Sequence, residues 1–454
     1  MTAPIRISRQ TARRFVLGKQ GLWPGRRWAG KDGTRGAVIA TEHLQLDPLV
    51  ILARSHDLML HSRVADYQPR LFDELAYGNR EFFDWGGWLA VRPRAELPHW
   101  RVLMRRNRGH EGWAGTEREH GGAIEEMRAA LRERETVSGR DFQATERTAI
   151  SNYRGSKDSS LALYYLWRVG EAMTHHRERF ERVYAATERV APAELIRESS
   201  DDEAERFMAR KAVAFGGIGR IGPLSRALVR TVTKEEERAL ERSMLECGDL
   251  VSIEVEGWKG THFVLGSDVG QLEEVARNEI PADWAAIETT TEQEVNFLSP
   301  LDPVSARGRA KQLFEFDYVW EIYKPAQQMV FGRYTMPILW GDQLVGRLDA
   351  KLDRKANTLV VNGIWVEEGA TAKSPAFRDA LAAGMWRMSS FLGATSVDAT
   401  AVSDLRLRAA MGNRRGTWRG QQSRAGRRDL DGRGSLRDNE NRSSPRSSGK
   451  GSPK

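Results

Sequence analysis

Apolar positions along the chain change period several times, and each change marks a predicted element. Ile7, Ala12, Phe15, Val16 and Leu22 recur at helical spacing, which predicts a first helix capped by Ser8 and ending near Gln20, before the Gly-Leu-Trp stop. Thr34 to Leu44 suits a second helix, with the break at Pro48. Arg80 to Arg92 reads as two short strands around Gly86-Gly87, and Leu97 to Arg108 as a further helix.

Compact helices closed by a hairpin are the pattern of a winged helix-turn-helix, and the pattern recurs. Gly115 to Arg134 is predicted as one strongly charged helix, Lys157 to Val169 as an amphipathic one, and Met173 to Tyr184 as a paired hairpin or wing. A third pass has helices over Glu203 to Phe215 and Lys234 to Glu246, then the hairpin LVSIEVEGWKGTHFVL turning at Gly257 to Gly260. From Glu294 the pattern becomes alternating. VNFLSPLD, FDYVWEIY, RYTMPILWGDQLVGRLDAKLDR and NTLVVNGIWVEE read as strands, Trp340 to Leu344 as a hairpin, and Ala376 to Leu392 as a closing helix after Pro375.

The predicted fold is therefore α+β: tandem winged helix-turn-helix units, then a β-rich C-terminal unit and a disordered basic tail. The boundaries are 1–110, 111–192, 193–290, 291–400 and 401–454.

Composition adds exclusions. With 40% hydrophobic residues and 14 Trp the chain can build proper cores. The single Cys247 excludes an intramolecular disulfide and a Cys-rich metal module. The formal charge of +8 is misleading, because the stretch from Gly412 to Lys454 carries all of it and leaves a neutral body. That stretch is rich in Gly, Ser, Arg and Asn, and reads as disordered; it either adds nonspecific affinity for phosphates or serves as a solubilising appendage. No run approaches the roughly 18 apolar residues of a spanning helix. The amino terminus lacks an acid until Asp32, as a transit peptide would, yet its apolar stripe is that of a domain's first helix, so a cytoplasmic location is expected.

Most candidate chemistry has a plainer reading. Gly217-Ile218-Gly219-Arg220-Ile221-Gly222 matches a dinucleotide fingerprint, but a helical pattern precedes it and Pro223 follows, so it reads as a turn between helices. His175 and His176, adjacent on a presumed strand, are expected to face opposite ways. His43, His56 and His61 have no partners at metal-ligand spacing, and no activated serine or phosphate loop occurs. The segment Glu42 to Arg63, EHLQLDPLVILARSHDLMLHSR, is different. In extended geometry Gln45 and Asp47 project to one side while Leu46 anchors in the core. Taken as a bare tripeptide, Asp47 is equally a turn residue before Pro48.

These blocks resemble the winged-helix family of bacterial DNA glycosylases represented by YcaQ and AlkZ. The resemblance spans about residues 7 to 400 and is carried by ARRFVLGKQGL, LQLDPLVILARSHDLMLHSR, FERVYAATERVAP, FLSPLDPV, LFEFDYVWEIYKPA and GDQLVGRLDAKLDRKA. Family members carry a catalytic Gln-x-Gln or Gln-x-Asp element, and Gln45-Leu46-Asp47 matches the second form. The chain departs at Asp84-Trp85-Gly86-Gly87-Trp88, where relatives of the crosslink-repair type have a Trp-Ala-His-Glu-like stretch, which leaves the range of lesions open.

The resemblance implies a monofunctional glycosylase that removes N7-alkylated purines from damaged double-stranded DNA and unhooks interstrand crosslinks. It implies that Asp47 stabilises the oxocarbenium-like sugar and activates a water that Gln45 orients, with no metal or cofactor. It also implies monomeric action, near the nucleoid and away from membranes. Arg54, His56, Arg63, Lys157, Arg347, Lys351 and Arg354 are the candidate phosphate or groove contacts, each with a merely solvated charge as the competing reading. The rival functions are a noncatalytic winged-helix regulator and a partner-binding protein using the β-rich unit.

Overall fold

The first helix forms over Arg9–Lys19 in the computed structural model, with the Ser8 hydroxyl accepting the Thr11 N–H at 3.0 Å. The structure describes residues 3–86, 89–142, 147–148 and 156–412; of the tail read as disordered from residue 401, residues 413–454 lie outside the described residues, whereas Leu405–Gly412 is a helix because Val402, Leu407 and Met411 bury in the C-terminal core. The architecture is α+β.

Three helix groups are each followed by an antiparallel hairpin. The first has Arg9–Lys19, Gly30–Ala40 and Ser55–His61, then Phe82–Trp85 paired with Ala90–Pro93. The second has Glu111–Glu119, Gly121–Glu133 and Asp158–Arg168, then Ala172–Glu178 paired with Glu181–Ala186. The third has Asp201–Gly216, Leu224–Leu228 and Lys234–Glu246, then Leu250–Val255 paired with His262–Leu265. Capping boxes at Ser200/Glu203 and Thr233/Glu236 start the two long helices of this third group. Gly219 bridges to Phe263, so the loop between its first two helices closes onto the hairpin. The chain's first strand, Ile5–Ile7, lies parallel to Leu250–Val255 on the other edge, with Ile5 opposite Ile253.

The last part is a five-stranded sheet in the order Asn296–Phe297, Thr335–Trp340, Gln343–Asp353, Thr358–Val366, Ser396–Asp398. Helix Pro375–Leu392, capped by Ser374, lays Phe377, Leu381, Met385 and Met388 on it against Met336, Ile338, Leu348 and Val361. Among the described residues no helix is long and apolar enough to cross a membrane.

Four other expectations are corrected. The second helix runs from Gly30 to Ala40 because Glu42 takes a left-handed φ of 56°, which ends it and turns Leu44–Gln45 into a strand. The long charged helix splits at His120, ahead of Gly121-Gly122, the residues least able to sustain a helix. Phe316 to Tyr323 alternates without joining the sheet: Tyr318 and Trp320 donate instead to the carbonyls of Thr335 and Arg333, at 2.7 and 3.2 Å. A bulge between Thr174 and His176 turns the two histidines together, with Nδ1 atoms 2.9 Å apart, so they do not face opposite ways.

Candidate active site

Gln45 and Asp47 owe their placement to what the backbone does on either side of them. Leu44–Gln45 pairs with Ala90 and Val91, and the Leu46 N–H continues the pairing onto the Leu89 carbonyl at 3.0 Å. Successive side chains of this extended run alternate, so Leu46 is sealed at 1% exposure while Gln45 and Asp47 are each half-buried. Past Pro48 the chain turns, and Asp47 Oδ1 accepts the Leu49 N–H at 2.8 Å. Asp47 enters no ion pair among the described residues.

Two residues from the C-terminal half complete the site. Arg307 Nη2 donates to Gln45 Oε1 at 2.6 Å, which fixes the amide and leaves its NH2 pointing away from the arginine. Tyr334 is buried, and its phenol is pushed up by burial and then by the negative charge of Asp47, so the two groups share one field. Burial lifts Asp47 above the ordinary carboxylate range, and the Leu49 N–H offsets part of the lift. The result is a half-buried carboxylate and an oriented amide on the side of the strand opposite Leu46, groups whose chemistry could hold and deprotonate a water. A family model described as DNA glycosylase AlkZ-like matches residues 40–391, most of the chain and all of this site. The chain belongs to the AlkZ-like DNA glycosylase family.

Among solved structures, Streptomyces sahachiroi DNA glycosylase AlkZ superposes with a TM-score of 0.57 at 14% identity, covering 88% of this chain and 99% of that one. At that identity the likeness is one of fold.

Of the expected DNA contacts in this AlkZ-like chain, three are placed where a phosphate cannot meet them. Arg63 is fully buried and forms a bidentate pair with Asp302, Nη1 to Oδ2 at 2.7 Å and Nη2 to Oδ1 at 2.9 Å. Arg347 is buried between Phe316 and Phe331, at 4.4 and 4.1 Å from their ring centres, and pairs with Glu367. His56 is buried against Phe72 and Phe180; burial, then Arg54 and Arg177, push its imidazole down to about 3, so it is neutral. All three serve the core.

The rest are differently placed. Arg54 is half-buried, with its guanidinium 4.9 Å from the Phe180 ring, and with Leu46, His56 and Asp73 it lines a cavity of about 150 Å³. Lys351 is exposed, and so is Arg354, which donates to the Leu52 carbonyl at 2.8 Å. The side chain of Lys157 lies outside the described residues. In the stretch that departs from the crosslink-repair pattern, Asp84 is buried and paired with Arg177, and Trp85 Nε1 donates to the Trp167 carbonyl at 3.2 Å; Gly87 and Trp88 lie outside the described residues. Sequence reasoning missed Arg307 and Tyr334. The available signal was the block FLSPLDPV: its Ser299 meets Ser55 and its Asp302 holds Arg63, which ties it to the Gln45–Asp47 segment.

Proposed function

We propose that this chain is a DNA repair glycosylase that hydrolyses the N-glycosidic bond of N7-alkylated purines and unhooks interstrand crosslinks. The carrying observation is the Leu46 anchor, with Asp47 beside it half-buried and outside any ion pair among the described residues. An N7-alkylpurine is cationic, so when the C1′–N9 bond breaks its electron pair neutralises the leaving base and no strong general acid is needed. Positive charge then develops on the sugar, where a nearby carboxylate stabilises it. A water whose oxygen takes a hydrogen bond from the Gln45 NH2 adds to C1′ and passes its proton to Asp47. The chemistry calls on no metal and leaves a free base and an abasic sugar, the outcome of a monofunctional enzyme.

In this reading the three helix groups with their hairpins are winged helix-turn-helix units, in domains bounded near 110, 192 and 290, followed by the β-rich unit to about 400. An approach to the sugar from outside the base stack suits a base tethered to both strands, which resists complete extrusion. The partner is damaged duplex DNA, bound by a monomer near the nucleoid, with Arg54, Lys157, Lys351 and Arg354 kept as candidate contacts.

The test incubates the protein with duplexes bearing N7-methylguanine or a nitrogen-mustard crosslink, followed by alkaline cleavage. Lesion-dependent breaks are expected. Sequence-selective binding without breaks would instead identify a regulator.

A further inference from the structure

Three arginines from distant parts of the chain meet in one basic cleft, and each rests against a glycine. The cleft, of about 620 Å³, is lined by Arg9, Arg220 and Arg309 together with Lys259 and Lys311. Glu315 is the carboxylate in the lining, and it pairs with Arg9; Lys311 pairs with Asp317 outside it. A Cβ on Gly257 would collide with the Arg9 guanidinium and one on Gly260 with that of Arg220, while one on Gly216 would lie 3.3 Å from Arg309 Nη1. The backbone is therefore bare of side chains at the three places where the guanidiniums come in.

Most of this positive charge is not answered by carboxylates in the lining. Arg309 donates to the Gly216 carbonyl at 2.7 Å, its buried Nε has no partner among the described residues, and burial lowers it only to about 10, so it stays charged. His262, also in the lining, is pushed down by burial and then by Arg220, and so adds no charge of its own. Like charges gathered around an open cleft raise a positive potential that an anion relieves. The glycine motif rejected above as a dinucleotide site supplies Gly219 and Arg220 to this wall.

The cleft is joined to the candidate active site by one turn. Arg307 and Gly308 both take positive φ, 54° and 83°, so the chain reverses sharply; Arg307 reaches Gln45 while Arg309, two residues on, lines the cleft. We propose that this cleft binds the phosphodiester backbone of the duplex beside the lesion. The assignment of DNA as the source of the phosphate rests on the catalytic reading of Gln45 and Asp47; free phosphate is the other source of the same chemistry.

The test measures binding of an undamaged fluorescent duplex across a salt series. Arg220→Gln/Lys259→Gln should lower affinity about tenfold and make the slope of log K against log salt shallower by about two. Lys259→Gln alone, a change at an exposed position, should show about half that change in slope without endangering the fold. Arg118→Gln/Arg132→Gln removes the same charge from helices that do not line the cleft and should weaken binding less. An unchanged affinity in the cleft variants, or a loss no greater than in that pair, overturns the proposal. Inorganic phosphate exchanged for chloride at fixed ionic strength should leave duplex affinity almost unchanged; strong competition that vanishes in the cleft variants assigns the site to free phosphate and overturns the DNA assignment. Excision is not read in this experiment, so the two readings fail separately: cleft-dependent binding without excision counts against Asp47, and excision with cleft-independent binding counts against the cleft.

Discussion

Arg307 and Gln45 lie 262 positions apart, yet the guanidinium donates to the amide oxygen at 2.6 Å, so the β-rich half of the chain orients the glutamine of the helical half. The bond is exposed, so it matters for the aim of the amide and not for holding the fold, and a misaimed catalytic group can cost up to about a hundredfold in rate. Arg307→Met should therefore lower the single-turnover excision rate by roughly ten- to a hundredfold. Arg307→Lys should recover part of the loss, and thermal unfolding should change little because Arg307 is exposed. An unaltered rate in Arg307→Met would detach this contact from catalysis.

Asp47→Asn keeps a side-chain oxygen for the Leu49 N–H, so the turn survives while the charge is lost. Excision should fall by about 10²–10³-fold, the range for removing one group that stabilises transition-state charge. Affinity for duplex should hold or tighten, since a carboxylate no longer faces the phosphates. Single-turnover rates and equilibrium binding, measured on the same preparation, separate the two effects.

Acid should slow the enzyme at a higher pH than an ordinary carboxylate would, because burial lifts Asp47 and protonation removes both its charge and its basicity. The same lift has a stability consequence of defined sign. A carboxylate whose pKa is raised in the fold contributes stability at low pH that is lost as pH rises through the folded value. Asp47→Asn should thus raise the melting temperature at neutral pH, with the difference closing on acidification; a lowered neutral melting temperature would contradict the half-buried, unpaired placement.

His56 runs the other way. Its folded pKa is pushed down to about 3, so the unfolded chain takes up a proton below roughly pH 6.5 that the fold refuses. Its share of stability is complete above about 6.5 and drains away toward 3, at up to about 1.4 kcal/mol per pH unit. Asp57, pushed up to about 6 by burial, opposes the trend, so the comparison must be with His56→Phe. That variant keeps an aromatic ring between Phe72 and Phe180 and should flatten the pH dependence of the unfolding midpoint.

Arg63→Met leaves Asp302 as a buried carboxylate without its cation and should cost about 3–5 kcal/mol, read from denaturant unfolding. Removing both partners together should cost less than the single change.

The helices and hairpins were legible where one local rule decided them: Ser8 capping a helix, alternation sealing Leu46 between two polar neighbours, a glycine turn at Gly257 to Gly260. The arginines were misread because an arginine in a sequence looks the same whether it meets water or a carboxylate 239 positions away, as Arg63 meets Asp302. Alternation over Phe316 to Tyr323 also misled, since its side chains bond to backbone carbonyls in place of a ladder. Arg307 had no local signature at all, because what places it is the closure of the two halves on each other.

Ile5 finds its place only beside Ile253, 248 positions on. During synthesis a ribosome must therefore deliver more than half of the protein before the opening strand has anywhere to dock. The third hairpin gains that edge from the start of the chain, so a shortened version lacking the first few residues would lose part of the sheet that backs the wall of basic side chains, far along the sequence from the cut.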